Sequence, residues 1–170
     1  YSNSSGISSQ SISVNRELEL ARESIKSLLS FEDYFDLTFT SGATESNNLV
    51  ISSFKDAFIV SSPAEHKSVI ESINHYCLNH IYVNVDQFAH VVLGELKLLL
   101  EDIIPATRKF NRKFGLIDQP LLLSLMHLNN ELGTITDLKL VMEIVDGVRQ
   151  HYPAGIYIHV DASQSLGKLS

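Results

Sequence analysis

Residues 155–164 read Gly-Ile-Tyr-Ile-His-Val-Asp-Ala-Ser-Gln. The run is apolar and β-branched and follows a turn signal at Pro153, so it predicts a buried strand that ends at Asp161. In open α/β sheets, ligands bind at the carboxyl ends of the strands. A buried carboxylate there needs a hydrogen-bonding or charged partner. Two interpretations of Asp161 stay open: a ligand-binding carboxylate, or the cap of a following helix, a role that Ser163 could also take.

The composition indicates a globular domain of ordinary size. The 170 residues are 44% hydrophobic and 19% charged, which suffices to bury one sizeable core. A net charge of −7 argues against a nucleic-acid surface, which needs clustered Lys and Arg. The single cysteine, Cys77, excludes a disulfide framework and a cysteine-rich metal site. No apolar run has the length of a membrane span, so nucleic acid, metal and membrane are not predicted as partners.

Predicted strands and helices alternate along the chain. Residues 1–13 are rich in Ser and Asn and predict an N-terminal arm, followed by a domain over residues 14–170 that opens with an amphipathic helix. Strands are predicted at residues 37–40, 57–61, 81–85, 121–126 and in the run that ends at Asp161, and further helices at residues 45–54, 68–79, 93–104 and 137–150. Pro105 is expected to end the helix before it, with a loop over residues 105–120. The fold class is therefore α/β, a mostly parallel sheet with helices on both faces.

Small or polar residues follow four of the predicted strands. They are Ser41-Gly42-Ala43-Thr44, Glu65-His66, Asn129-Asn130, and Asp161 with Gln164. Because the carboxyl ends of parallel strands share one edge of a sheet, these groups are expected to converge on one crevice.

The first of these clusters opens a helix and therefore predicts an anion site. The free N–H groups and the positive end of a helix attract anions, and the hydroxyls of Ser41 and Thr44 would add donors. An ordinary N-cap at Thr44 or Ser41 is the alternative. For His66, the alternative to a site role is a surface position in a loop.

Four motifs resemble successive signatures of the cysteine desulfurases. They read Thr-Ser-Gly-Ala-Thr-Glu-Ser-Asn-Asn at residues 40–48, Glu-His-Lys-Ser-Val at 65–69, Met-His-Leu-Asn-Asn-Glu-Leu-Gly at 126–133 and His-Val-Asp-Ala-Ser-Gln-Ser-Leu-Gly-Lys at 159–168. Cysteine desulfurases are pyridoxal-phosphate enzymes of fold type I, in the class V aminotransferase group. The resemblance covers nearly the whole chain and implies part of the large, cofactor-binding domain of such an enzyme.

The resemblance also implies roles for individual residues. Thr44, with the amides around Gly42 and Ala43, would hold the phosphate of pyridoxal phosphate. His66 would stack on the pyridine ring and transfer protons, which makes it the catalytic candidate of this chain.

The remaining site residues implied by the resemblance surround the same ring. Asp161 would keep the pyridine nitrogen protonated, so that the ring can accept electrons from the substrate's α-carbon. Gln164 would donate a hydrogen bond to the phenolate oxygen, and Asn130 would lie beside that oxygen or beside the substrate carboxylate.

The implied reaction releases sulfur from L-cysteine, giving alanine and an enzyme persulfide for iron–sulfur cluster or thio-cofactor assembly. A homodimer and an iron–sulfur scaffold or other sulfur-acceptor protein are the implied partners, and the location is left open between cytoplasm and mitochondrion. Selenocysteine lyase, another class V lyase or aminotransferase, and a truncated non-catalytic relative are the alternatives.

Two family features are expected beyond residue 170. The lysine that attaches the cofactor follows the fourth motif in the family, and the cysteine that carries the persulfide lies further on. Lys67 and Lys168 belong to other motifs and are not assigned to the cofactor. Cys77 is predicted to be a core residue. The chain alone is therefore expected to be inactive, whether it is a fragment or a natural truncation.

Overall fold

The apolar runs of the sequence form one parallel sheet. The computed structural model describes residues 3, 5–30, 35–114 and 119–169. Its strands are β1 (Phe58–Ser61), β2 (His80–Tyr82), β3 (Leu121–Met126) and β4 (Ile156–Asp161). They lie in the order β2-β1-β3-β4, and each neighbouring pair is parallel. The register pairs Met126 with Asp161 at the carboxyl edge, which brings the ends of β3 and β4 together.

Helices cover both faces of the sheet, as predicted. They are α2 (Ala43–Ser53), α3 (Lys67–Tyr76), α4 (Leu93–Phe114) and α5 (Leu138–Arg149). Alternate residues of β3 point to opposite faces. Leu121, Leu123 and Leu125 pack with the buried residues of α4 and α5, whereas Leu122 packs with those of α2 and α3.

The prediction that Cys77 is a core residue is confirmed. Its side chain is 3% exposed and belongs to the cluster on the α2 and α3 side of the sheet. Burial raises the pKa of the thiol, so Cys77 behaves as a small apolar side chain.

The chain divides into two compact units, Tyr1–Thr40 and Ser41–Ser170. The first unit contains α1 (Ser9–Leu28), which Ser8 caps by accepting a hydrogen bond from the Ser11 amide. The prediction that the first helix begins at about residue 14 is therefore wrong, because the capping hydroxyl of Ser8 starts the helix at Ser9, earlier than the apolar stripe does. The strand predicted at residues 37–40 is also wrong: residues 35–40 form no regular element, since strand propensity alone supplies no paired neighbour.

The helix α4 is longer than predicted. It continues through Pro105 to Phe114, so most of the loop predicted over residues 105–120 is helical, and residues 115–118 lie outside the described residues. Proline removes one backbone hydrogen bond but has a helical φ. The apolar stripe of Leu96, Leu100 and Ile103, buried against the sheet, anchors the helix just before that point.

None of the helices among the described residues is both long and apolar enough to cross a membrane.

Candidate functional site

A pocket of about 350 Å³ opens at the carboxyl edge of the sheet. Its lining comprises Ser41, Gly42, Ala43, Thr44, Glu45, His66, Met126, Asn130, Asp161, Ser163 and Gln164. All seven residues predicted for the cofactor site are among them: Gly42, Ala43, Thr44, His66, Asn130, Asp161 and Gln164. The convergence expected from the strand ends is therefore observed, whereas the role of each side chain stays a prediction.

The N-terminus of α2 forms one wall of the pocket. Gly42 is the N-cap residue, and no side chain caps the helix. The alternative of a cap at Thr44 or Ser41 is therefore wrong. Ser41 instead donates its N–H and its hydroxyl to Glu45 Oε2, both at 2.6 Å. The first-turn N–H groups consequently keep their capacity to bind an anion.

Asp161, the last residue of β4, lies at the bottom of the pocket and is 5% exposed. Its Oδ1 accepts hydrogen bonds from the Ser163 N–H at 3.0 Å and from the Ser163 hydroxyl at 2.5 Å. Its Oδ2 accepts a bond from Asn47 Nδ2 at 2.8 Å. Burial alone would raise the pKa of Asp161, but these hydrogen bonds outweigh it and hold the pKa below its usual value.

The helix-cap interpretation of Asp161 is wrong in its original form. Residues 163–168 form turns, and no helix follows Asp161 within the described residues up to 169. Its bonds to Ser163 therefore close a local turn, and the buried carboxylate is ionised beside the pocket.

His66 is the N-cap residue of α3. Its Nδ1 accepts the Ser68 N–H at 3.1 Å and lies 2.7 Å from the Ser68 hydroxyl. A nitrogen that accepts an N–H carries no hydrogen itself, so in the neutral ring the hydrogen is on Nε2. The predicted site residue is thus held by its own helix, and its ring lines the pocket.

Asn47 was not predicted as a site residue, although it lies in the first motif. It is 3% exposed, and its Nδ2 donates to Asp161 Oδ2 and, at 2.9 Å, to Ser68 Oγ. The available signal was its position three residues after Thr44, one helical turn further along α2.

Glu65 also lies at this edge of the sheet. Its Oε1 accepts the Met126 N–H at 2.7 Å, whereas its buried Oε2 has no hydrogen-bond partner among the described residues. Burial raises the pKa of Glu65 to about 8; the Met126 bond opposes this rise, and the charge of Asp161 adds to it. Glu65 is therefore mainly protonated at neutral pH.

The paired amides Asn129 and Asn130 have different positions. Asn129 is used by the backbone: its Nδ2 donates to the Ala64 carbonyl at 2.9 Å, and its Oδ1 accepts two N–H groups of the following turn. Asn130 lines the pocket. Gln164, three residues after Asp161, also lines the pocket. Its Oε1 accepts a hydrogen bond from Lys168 Nζ at 3.1 Å, so the hydrogens of its amide nitrogen stay available to a ligand.

The family model of the class-V aminotransferases matches residues 1–170. The chain belongs to this family. The class-V aminotransferase match covers both compact units and all four motifs of the sequence.

Relatives of known structure support the same assignment. The structure is similar to a NifS-like protein from Rickettsia africae, with a TM-score of 0.78 and 27% identity, covering 98% of this chain and 42% of the other. A second NifS-like protein gives a TM-score of 0.73 at 30% identity, covering 97% of this chain and 42% of the other. The predicted α/β fold, of the kind found in fold type I pyridoxal-phosphate enzymes, is confirmed.

A curated relative is cysteine desulfurase IscS from Buchnera aphidicola. It is 35% identical over 158 residues, which are 89% of this chain and 34% of the relative. The chain thus spans about a third of the length of this class-V aminotransferase relative.

Proposed function

We propose that this chain is the cofactor-binding portion of a pyridoxal-phosphate-dependent cysteine desulfurase, which releases sulfur from L-cysteine and leaves alanine. The observation that carries the proposal is one pocket that joins an uncapped helix N-terminus to a buried, ionised carboxylate. Relatives named cysteine desulfurase and NifS-like protein support it. In this proposal residues 1–13 are an arm, and residues 14–170 are part of the large domain.

The described residues fit pyridoxal phosphate at its phosphate end. The first turn of α2 offers backbone N–H groups that no side chain caps. Gly42, Ala43 and Thr44 line the pocket beside it. We assign the phosphate to these amides and to the Thr44 hydroxyl, because a helix N-terminus favours negative charge.

The residues also fit the ring of the cofactor, whose chemistry is the withdrawal of electrons from the α-carbon of an amino acid. Asp161 would hold the ring nitrogen in its protonated form through its charge. His66 would stack on the ring and move a proton at Nε2. The amide of Gln164 would donate to the phenolate oxygen, and Asn130 would bind that oxygen or the substrate carboxylate.

The same proposal includes the partners. L-cysteine is the substrate, a second copy of the chain completes a homodimer, and an iron–sulfur scaffold or another sulfur-acceptor protein takes up the persulfide sulfur. The relatives named cysteine desulfurase support L-cysteine as the substrate, whereas the homodimer and the sulfur-acceptor protein are proposed from the resemblance of the four motifs.

The test uses the protein as it is encoded. The purified protein should bind pyridoxal phosphate, seen as visible absorption, and should form alanine from L-cysteine together with sulfide in the presence of a thiol reductant. Absence of cofactor binding would refute the cofactor assignment. Cofactor binding with alanine formed from selenocysteine but not from cysteine would refute the desulfurase assignment in favour of a selenocysteine lyase.

A further inference from the structure

The amide of Asn47 connects two parts of the proposed site. Asn47 belongs to α2, Ser68 to α3, and Asp161 to the end of β4. Its Nδ2 lies 2.8 Å from Asp161 Oδ2 and 2.9 Å from Ser68 Oγ. The NH2 group has two hydrogens, so each of these oxygens receives one. All three residues are less than 9% exposed.

The orientation of the amide follows from its neighbours. With the amide turned the other way, its oxygen would face the Asp161 carboxylate, and two acceptors would lie against each other without a hydrogen between them. The Asn47 Nδ2 must therefore face Asp161. Since Ser68 Oγ accepts from Asn47, its own hydrogen is free to be donated to His66 Nδ1 at 2.7 Å.

The two oxygens of Asp161 are held from opposite sides. Ser163 binds only Oδ1, through its N–H and its hydroxyl. Among the described residues, the side chain that donates a hydrogen bond to Asp161 Oδ2 is the amide of Asn47. A carboxylate with bonds on one oxygen can turn about its last torsion angle, whereas bonds on both oxygens fix its plane. Oδ2 keeps one further lone pair for another donor.

We propose that Asn47 is a positioning residue: its amide fixes the plane of the Asp161 carboxylate and keeps it ionised at the bottom of the pocket, while the same amide orients Ser68 against His66. The importance of this arrangement for cofactor binding rests on the proposed function. The effect of Asn47 on the plane and charge of the Asp161 carboxylate does not depend on the proposed function.

The charged and titratable groups around Asp161 come from β4, the β1–α3 loop, the start of α3 and the first turn of α2, where Glu45 lines the same pocket and accepts two hydrogen bonds from Ser41. His159, on the same strand, lowers the pKa of Asp161, and Asp161 in turn raises the pKa of Glu65 in the β1–α3 loop. His66 lies on the α3 side of the pocket. Removing the Asn47 amide leaves His159, Glu65, His66 and Glu45 in place, so a change in the titration of Asp161 would report the lost hydrogen bond.

The experiment compares Asn47→Ala and Asn47→Leu with two matched variants in the protein as encoded. Ser68→Ala removes the other acceptor of the same amide, and Asn48→Ala removes a neighbouring amide that donates to the Thr44 carbonyl inside α2. The titration of the Asp161 carboxyl is followed by carbon-13 NMR without cofactor. Binding of pyridoxal phosphate is measured separately by absorption.

We expect both Asn47 variants to shift the Asp161 titration to higher pH and to weaken cofactor binding about tenfold, the equivalent of one hydrogen bond to a charged group. Ser68→Ala and Asn48→Ala should leave the titration unchanged. Asn47→Leu keeps the branched shape of the side chain without its hydrogen-bonding groups, so agreement between the two Asn47 variants separates the hydrogen bond from packing.

An unchanged Asp161 titration in both Asn47 variants would overturn the inference, and so would an equal shift in Ser68→Ala, which would indicate a packing role. If the parent protein binds no pyridoxal phosphate, the proposed function fails, but the titration still decides the role of Asn47.

Discussion

Asp161 ends β4 and Glu65 follows β1, the two strands on either side of β3, yet the pKa values of the two carboxyl groups move in opposite directions. Asp161 accepts three hydrogen bonds and has a lowered pKa. Glu65 accepts one, from the Met126 N–H, and its pKa is raised to about 8. Burial alone would raise the pKa of both carboxyl groups, so the number of donors decides which one is charged.

The difference teaches how one edge of a sheet can hold two carboxyl groups close together. Two adjacent charges would repel, and the group with fewer donors takes up the proton. The ionised group, Asp161, lines the pocket, where it could bind a positively charged ring nitrogen. The neutral group is not part of the lining of that pocket, and it ties the β1–α3 loop to the end of β3 through Met126.

The largest expected effect is on Asp161. Asp161→Asn keeps the volume and removes the charge, so a bound pyridine ring would lose its proton and accept electrons poorly. In the protein as encoded, loaded with pyridoxal phosphate, alanine formation from L-cysteine should fall on the order of a thousandfold or more.

Asp146→Asn is the matched control, since Asp146 pairs with Arg149 on the surface of α5. It should keep parental turnover. Near-normal turnover of Asp161→Asn with cofactor bound would mean that the charge of Asp161 is not what the pocket uses.

The second prediction concerns the neutral partner. The folded state of the parent keeps the Glu65 proton up to about pH 8, whereas the unfolded chain releases it near 4.5. The unfolding free energy should therefore fall as the pH rises from about 4.5 to 8. Glu65→Gln cannot ionise and retains an oxygen for the Met126 N–H, so it should remove this loss and be more stable at pH 8 by a few kcal/mol.

Urea denaturation at pH 5 and pH 8.5 measures this difference. The control is Glu71→Gln, at an exposed position on α3. Because it keeps Glu65, it should lose as much stability as the parent between the two pH values. If parent and Glu65→Gln lose the same stability between these pH values, Glu65 is already ionised in the folded protein, and the contrast with Asp161 disappears.

The sequence was sufficient for parts of the fold where burial is dense. The six residues of β3 are all buried, and five of them are apolar, with Ser124 as the exception, so a strongly apolar run marks the strand. The residues Leu-Thr-Phe-Thr at 37–40 also predicted a strand, but this prediction was wrong, because a strand also requires a neighbouring strand to pair with. At Pro105 a local rule for helix termination was overridden by the anchored apolar stripe of α4.

The site was predictable in its lining but not in its hydrogen bonds. The rule that parallel strands end at one edge brought His66 and Asp161 together correctly. Thr44 reaches the same pocket from the first turn of α2, without the strand that was predicted before it. The donors to Asp161 include Asn47, which is 114 positions away in the chain. The position of Asn47 one helical turn after Thr44 indicates that it is near the site, but local sequence does not indicate that its partner is Asp161. The protonation of Glu65 likewise depends on a buried Oε2, which only the packed structure reveals.

The third prediction concerns His66, which follows Glu65 in the sequence and lines the same pocket as Asp161. If its ring stacks on the cofactor, His66→Ala should weaken cofactor retention and lower turnover about a hundredfold. His66→Phe should restore retention, because an aromatic face suffices for stacking, but not turnover, because Phe carries no proton. His75→Ala, in the last turn of α3, is the control. Parental binding and turnover in both His66 variants would leave His66 with its capping role alone.

The smallest expected effect comes from Ser163, which contributes a donor that Asp161 has and Glu65 lacks. Ser163→Ala removes the hydroxyl bond to Oδ1 but leaves the backbone N–H of residue 163 and the Asn47 amide in place. The pKa of Asp161 should rise while the group stays ionised at neutral pH, because two of its three donors remain. Cofactor affinity should therefore fall by about tenfold or less, with Ser53→Ala on the exposed side of α2 as the control. A loss as large as that of Asp161→Asn would mean that this single hydroxyl, and not the number of donors, keeps Asp161 charged.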